Sequence, residues 1–243
     1  MSLNAAVTPP RPQGPAIAVL QPYFFPYVGS FQLARAVDHF VFFDDVAFIK
    51  KGHIHRNSLL LNGQAHAFTV PVRQVSQNRT IAEHEYTGEW QGLLNLLKAA
   101  YRAAPHFKAA YALVENVAQH PDENVARKNA LAMQRVFAYL GLAQTWSFSS
   151  AWPGQGLKAQ GRILDIAQRL QARCYVNPAG GRALYATEAF ASAGVALRFI
   201  KTLPLGYAQG TADFVPNLSM IDLLMHCAPA QIVSLLGRCE LEA

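Results

Sequence analysis

Asp44 and Asp45 stand side by side at the end of an apolar run, and Lys50, Lys51, Arg56 and Asn57 follow closely. A carboxylate in that place can hold Mg²⁺ on a pyrophosphate, bind a sugar hydroxyl or accept a proton as a general base. An aspartate that merely caps a loop is the competing reading. Successive side chains on a strand point to opposite faces, so one of the pair faces a cleft and the other turns away; residue type alone leaves open which. The two lysines supply point charges and Arg56 a planar fork, a combination suited to phosphate or carboxylate. Asp44 and Asp45 are therefore the candidate catalytic pair, and Mg²⁺ is the one cofactor these groups point to.

Upstream, Gln21 and Tyr23 offer an amide and a hydroxyl at the exit of another apolar run, and Gly29 permits backbone N–H groups at a helix start to approach a phosphate. Downstream, Asn177 precedes Gly180 and Gly181, a pair able to take φ > 0 and turn successive N–H groups toward an anion. His53 and His55, two apart, would share a strand face and could bind zinc, but no third ligand stands nearby, which favours ordinary hydrogen bonding. Ser219 and Asp222 have capping-box spacing ahead of an apolar helix. No nucleophile stands out, since Cys174 lies in an apolar strand without an adjacent base.

The elements that must position these groups are legible from periodicity. Ala16–Leu20 and His39–Phe43 are strand-length apolar runs bracketing a segment whose Phe31, Leu33, Ala34 and Val37 fit one helix face. Asn62-Gly63 between apolar runs predicts a hairpin. Residues 90–141 read as an inserted helical lobe closed by Gly141, after which Gln144–Phe148 returns to the sheet. Cys174–Val176 and Ala196–Ile200 complete the strands, with helices over Lys158–Gln171, Thr187–Ser192 and Asn217–Gly237, the last broken at Pro229. The fold class expected is α/β, a largely parallel Rossmann-like sheet with an inserted helical lobe. In such a sheet the loops after parallel strands share the carboxyl edge, where ligands bind, so the candidate residues are expected to converge there.

Composition narrows the partners. Among 243 residues, 51% are hydrophobic and 15% charged, and 21 Lys plus Arg against 15 Asp plus Glu give a net charge of +6. That surplus suits a small anionic substrate and is weak for a nucleic-acid binder. No run approaches the ~20 apolar residues of a membrane span, and Met1–Pro15 lacks the apolar core of a signal peptide, so a mobile tail on a cytoplasmic protein is expected. The three cysteines, Cys174, Cys227 and Cys239, lack metal-knuckle spacing and read as reduced structural thiols.

The run LQPYFFPYVGSFQLARAVDHFVFFDDVAFIKKGHIHRNSLLLNG, together with NPAGGRALY and FVPNLSMIDLLMHC, resembles the WbqC-like family, bacterial proteins encoded among polysaccharide and O-antigen biosynthesis genes. The resemblance covers most of the chain from Ala16 onward and departs from the family pattern at His53, where an aromatic is common, and at His55, where Asn is common. It implies a glycan-related transferase acting on a small anionic or nucleotide-activated metabolite. A non-catalytic nucleotide- or sugar-binding partner of a glycan assembly complex is the main alternative, and a nucleic-acid-binding module a further one.

Overall fold

The structure, a computed structural model, describes residues 9–211 and 213–243. Six strands form the central sheet: β1 (Ala16–Leu20), β2 (His39–Phe42), β5 (Thr145–Phe148), β6 (Cys174–Pro178), β7 (Ala196–Thr202) and β8 (Cys239–Glu242), while β3 (Arg56–Leu61) and β4 (Gln64–Thr69) make a separate hairpin. The order across the sheet is β5-β2-β1-β6-β7-β8. All neighbours are parallel except β7 and β8. This is the expected mixed α/β, Rossmann-like architecture. From β1 the chain steps to β2 and β5 on one side, and β6, β7 and β8 extend on the other, so the direction of winding reverses between β1 and β6.

The two faces follow from the two-residue repeat of the strands. Ala16, Ala18, Phe40, Phe42, Cys174 and Val176 point into one core with helices α1 (Val28–Ala36), α4 (Val125–Tyr139), α7 (Met220–His226) and α8 (Pro229–Leu236). Ile17, Val19, Val41, Tyr175, Leu197 and Phe199 point into the other, covered by α5 (Ala159–Arg169) and α6 (Thr187–Ser192). Strands buried on both faces read as continuous apolar runs, which is why they were visible in the sequence.

Between β4 and β5 lie α2 (Gln91–Tyr101), α3 (Phe107–Ala118) and α4. Asn124 caps α4 by accepting from Arg127 N at 3.0 Å, and Gly141, at φ 68°, takes the left-handed position just beyond its end. Asn62 and Gly63, at φ 51° and 77°, turn the β3–β4 hairpin. Strand β8, missed in the sequence because Cys239–Glu242 mixes polar and apolar residues, pairs antiparallel with β7 at the sheet edge. Of the segment expected to be a tail, residues 1–8 lie outside the described residues. Within the remainder, Arg11 pairs with Asp38 at 3.1 Å and the Pro15 carbonyl accepts from Arg173 N at 2.8 Å. Among the described residues, no helix is long and apolar enough to cross a membrane.

Candidate functional site

Leu20 ends β1 and Pro178 ends β6, and both line a cavity of about 630 Å³. It therefore opens at the carboxyl edge where the winding reverses, the position at which open α/β sheets bind ligands. Tyr23, Pro26, Tyr27 and Ser30 form a wall from the β1–α1 loop and the first turn of α1, and Lys51, His53, Arg56 and Asn57 form the facing polar part, with Asn217 entering from the β7–α7 connection. Among the described residues, no aspartate or glutamate lines it. Lys51 and Arg56 join no ion pair among the described residues, so their charge is uncompensated by protein.

The wall is held rigidly. Phe25 is fully buried with φ at 41°, a left-handed conformation unfavourable for a bulky residue. Two side chains from distant elements accept that geometry by donating to its carbonyl: Asn57 Nδ2 at 2.7 Å and Ser219 Oγ at 2.7 Å. Asn129, buried in α4, donates to the carbonyls of Pro22 and Ile54 at 3.0 and 2.8 Å and accepts from the Tyr86 hydroxyl at 2.7 Å. The loop between the two prolines is thus fixed at both ends before any ligand arrives.

Within that wall, the Tyr23 hydroxyl donates to Gln21 Oε1 at 3.1 Å. Burial, with Tyr27 nearby, pushes the Tyr23 phenol up to about 12, so it stays protonated at neutral pH and offers its oxygen lone pairs as an acceptor. A Cβ on Gly29 would fall 2.4 Å from the Tyr27 ring. Glycine therefore makes room for the tyrosine ring. Ser30 lies inside α1 and lines the cavity, and among the described residues no side chain caps that helix.

Asp44 and Asp45 leave β2 at the same sheet edge but do not line the cavity. Asp44, 3% exposed, accepts from Ser150 N and Oγ at 2.9 and 2.7 Å and from Ser149 Oγ at 3.1 Å. Asp45 receives Ser149 Oγ and both Nε and Nη2 of Arg162, at 3.3 and 2.9 Å. Arg162, itself 2% exposed, also donates to Asp165 and to the carbonyls of Ser149 and Trp152. The pair thus clamps the end of β5 to α5. The loop-binding reading of these aspartates accounts for every contact they make.

Asn177 accepts from Tyr175 OH at 3.0 Å and donates to the Pro178 carbonyl at 3.0 Å, so its amide is spent locally. Gly180 and Gly181 sit in a 3-10 turn, Ala179–Leu184, and neither has positive φ. The anion-binding turn anticipated from the glycine pair is not formed. Gly181 is needed instead because a Cβ there would lie 2.1 Å from Asn177 Nδ2. Lys50 is exposed beside the cavity without lining it. His53 lines the cavity, whereas His55 is buried against Phe48 at 5.2 Å between ring centres, and among the described residues no group of three or more His, Cys, Asp or Glu could hold a metal ion.

Ser219 shows how the last sequence motif is used. It caps α7 by accepting from Ile221 N at 3.3 Å. Asp222, the expected box partner, turns inward and accepts from Tyr101 OH, Tyr207 OH and Gln209 Nε2 at 2.8, 2.6 and 3.0 Å. That buried carboxylate anchors the connection that carries Asn217 to the cavity.

The sequence matches the WbqC-like protein family over residues 21–234, a span containing both the β1–α1 wall and the basic facing part of the cavity. The chain belongs to that family. This WbqC-like protein is also similar to an "uncharacterized protein Rv1507c" of Mycobacterium tuberculosis, at 26% identity over 219 residues covering 86% of this chain and 93% of the relative. No solved structure matches it.

Proposed function

We propose that this WbqC-like protein is a transferase of surface-polysaccharide or O-antigen assembly that takes a small anionic or nucleotide-activated metabolite in the cavity between β1 and β6. One observation carries the reading: a cavity of about 630 Å³ at the winding reversal has Lys51, His53 and Arg56 in its lining and no carboxylate. In that scheme Lys51 and Arg56 bind the anionic portion, while Tyr23, Ser30, Ser58 and Asn217 offer neutral polar groups to the rest of the ligand. The family name supports the glycan setting.

With Asp44 and Asp45 committed to the Ser149–Ser150 turn and Arg162, the catalytic role first given to them passes to the cavity itself. Positioning and charge stabilisation of a leaving anion are what its groups supply. The same commitment favours the second reading, a non-catalytic binding partner in glycan assembly, because no cavity carboxylate is available as a general base. A thermal-shift screen of nucleotides, nucleotide sugars, acyl donors and amino acids, with and without Mg²⁺, tests the proposal, since a ligand selective for the folded state raises the midpoint. Nucleotide-dependent shifts lost in Arg56→Ala support it. Uniform absence of shifts, or shifts unaltered in that variant, defeats it. Product formation from a shifting donor separates the transferase from the binding partner.

A further inference from the structure

Three cationic side-chain types line the cavity, and they differ in one respect. Lys51, Arg56 and His53 all line it, and of these three side-chain types histidine is the one that changes charge between about pH 5 and 8. We propose that His53 is a proton-linked ligand in this cavity, joining Lys51 and Arg56 around a doubly charged phosphoryl-type anion and taking up a proton as that anion binds. The inference rests on the anionic-ligand reading above and deepens it by choosing the dianion over a single carboxylate.

The charge count is the first argument. One carboxylate is balanced by one guanidinium, yet here two fixed cations stand without an acidic partner, leaving room for a second negative charge. The second argument is the sign of the coupling. A dianion beside an imidazole favours its charged form, and the imidazolium then donates from both ring nitrogens, where the neutral ring donates from one. Nothing else in the lining competes for that proton. Tyr23 and Tyr27, on the facing loop, are both held protonated by burial; the first turn of α1 has no acidic residue; Ala67 is the β4 contribution, Pro178 that of β6 and Asn217 that of the β7–α7 connection. The other charged groups in the lining are thus Lys51 and Arg56, both cationic. Protonation and anion binding therefore promote one another. His55, two residues on, is buried beside Phe48 and does not line the cavity.

Sulfate is a suitable probe because it keeps both charges across this pH range, so any proton taken up belongs to the protein. Calorimetric titrations of the full chain with sodium sulfate, in two buffers of different ionisation enthalpy at constant ionic strength, measure that uptake directly, and acetate serves as the monoanion. The expected result is net proton uptake with sulfate, an affinity falling by up to about tenfold per pH unit as His53 loses its proton, and weaker acetate binding. His53→Asn should abolish the uptake and the pH slope while sulfate still binds through Lys51 and Arg56. Arg56→Ala should weaken sulfate and retain the uptake. Uptake that persists in His53→Asn, or sulfate and acetate binding alike without uptake, overturns the proposal while leaving the anion site standing. Absence of binding by either anion to the wild-type protein would remove the anionic-ligand reading and this inference together.

Discussion

Asn57 holds Phe25 in the left-handed region: its amide donates to the Phe25 carbonyl at 2.7 Å while its own Oδ1 accepts from Ser58 N at 2.9 Å. A non-glycine residue in that region costs on the order of 1–3 kcal/mol, and the surrounding structure must over-determine it. Asn57 and Ser219 do so from β3 and from the start of α7, and between them they set the direction in which Tyr23 and Tyr27 leave the loop. Asn57→Ala should lower stability by about 1–3 kcal/mol, the scale of a buried carbonyl and N–H losing partners. Urea denaturation checks this, and an unchanged midpoint would show that Ser219 alone suffices. Because both groups share one carbonyl, the double variant with Ser219→Ala should depart from additivity.

The Asp45–Arg162 pair makes the opposite prediction to a catalytic aspartate. Arg162 is 2% exposed and satisfies Asp45, Asp165 and two carbonyls at once. Removing it in Arg162→Ala should cost about 3–5 kcal/mol, since buried partners are left uncompensated. Asp45→Asn should destabilise less, keeping the shape of the clamp, and should leave ligand affinity at the cavity unaltered. An Asp45→Asn protein as stable as wild type but impaired in ligand binding would return the aspartate to the site.

Fold and site were legible in the sequence to different degrees, for a physical reason. Strands buried on both faces, such as Ala16–Leu20 and His39–Phe42, must be apolar throughout, and the Asn62-Gly63 turn needs positive φ, so each leaves a local mark. The cavity depends on which elements meet in space. Tyr23, Lys51, Arg56 and Asn57 were found because they flank those strands, and Arg56 and Lys51 line the cavity. Ser30, Ser58 and Asn217 carry no spacing signal as ligand groups, and Asn129 looks like any polar residue of a helix until the topology brings α4 under the Pro22–Pro26 loop. Asp44 and Asp45 misled because an aspartate pair at a strand end is equally suited to a ligand and to a serine turn. Their partners in the fold, Ser149, Ser150 and Arg162, lie more than a hundred residues onward and leave no mark beside them in the sequence.

Arg56 is exposed, lines the cavity and has no ion pair among the described residues. Arg56→Ala should therefore leave stability within about 0.5 kcal/mol of wild type, yet weaken an anionic ligand and make the residual binding less sensitive to salt. Titrations at two ionic strengths measure both effects. Equal affinity and an equal salt slope in the variant would place the anion elsewhere.

The buried histidines His55 and His84 and the half-buried His39 and His226 predict how stability responds to acid. Burial holds His39, His55, His84 and His226 below their ordinary range. His84 shows why: Ser76 N donates to its Nε2 at 3.1 Å and its Nδ1 lies 2.7 Å from the Thr80 carbonyl, an arrangement that uses both nitrogens of the neutral ring. His55 Nδ1 is buried without a hydrogen-bond partner among the described residues, and beyond burial the nearby Arg56 and His84 oppose its charge. In the unfolded chain these rings protonate near the ordinary value of about 6.5, whereas in the folded chain they resist. Below that value the unfolded state binds more protons, so stability is fully present above about pH 6.5 and is lost as pH falls through it toward the lowered folded values. Melting temperatures between about pH 8 and 5 should fall accordingly, and His55→Phe, which removes one such group together with its orphaned nitrogen, should flatten the decline. A wild-type melting temperature that holds or rises over that acid range would contradict the neutral, buried state assigned to these rings.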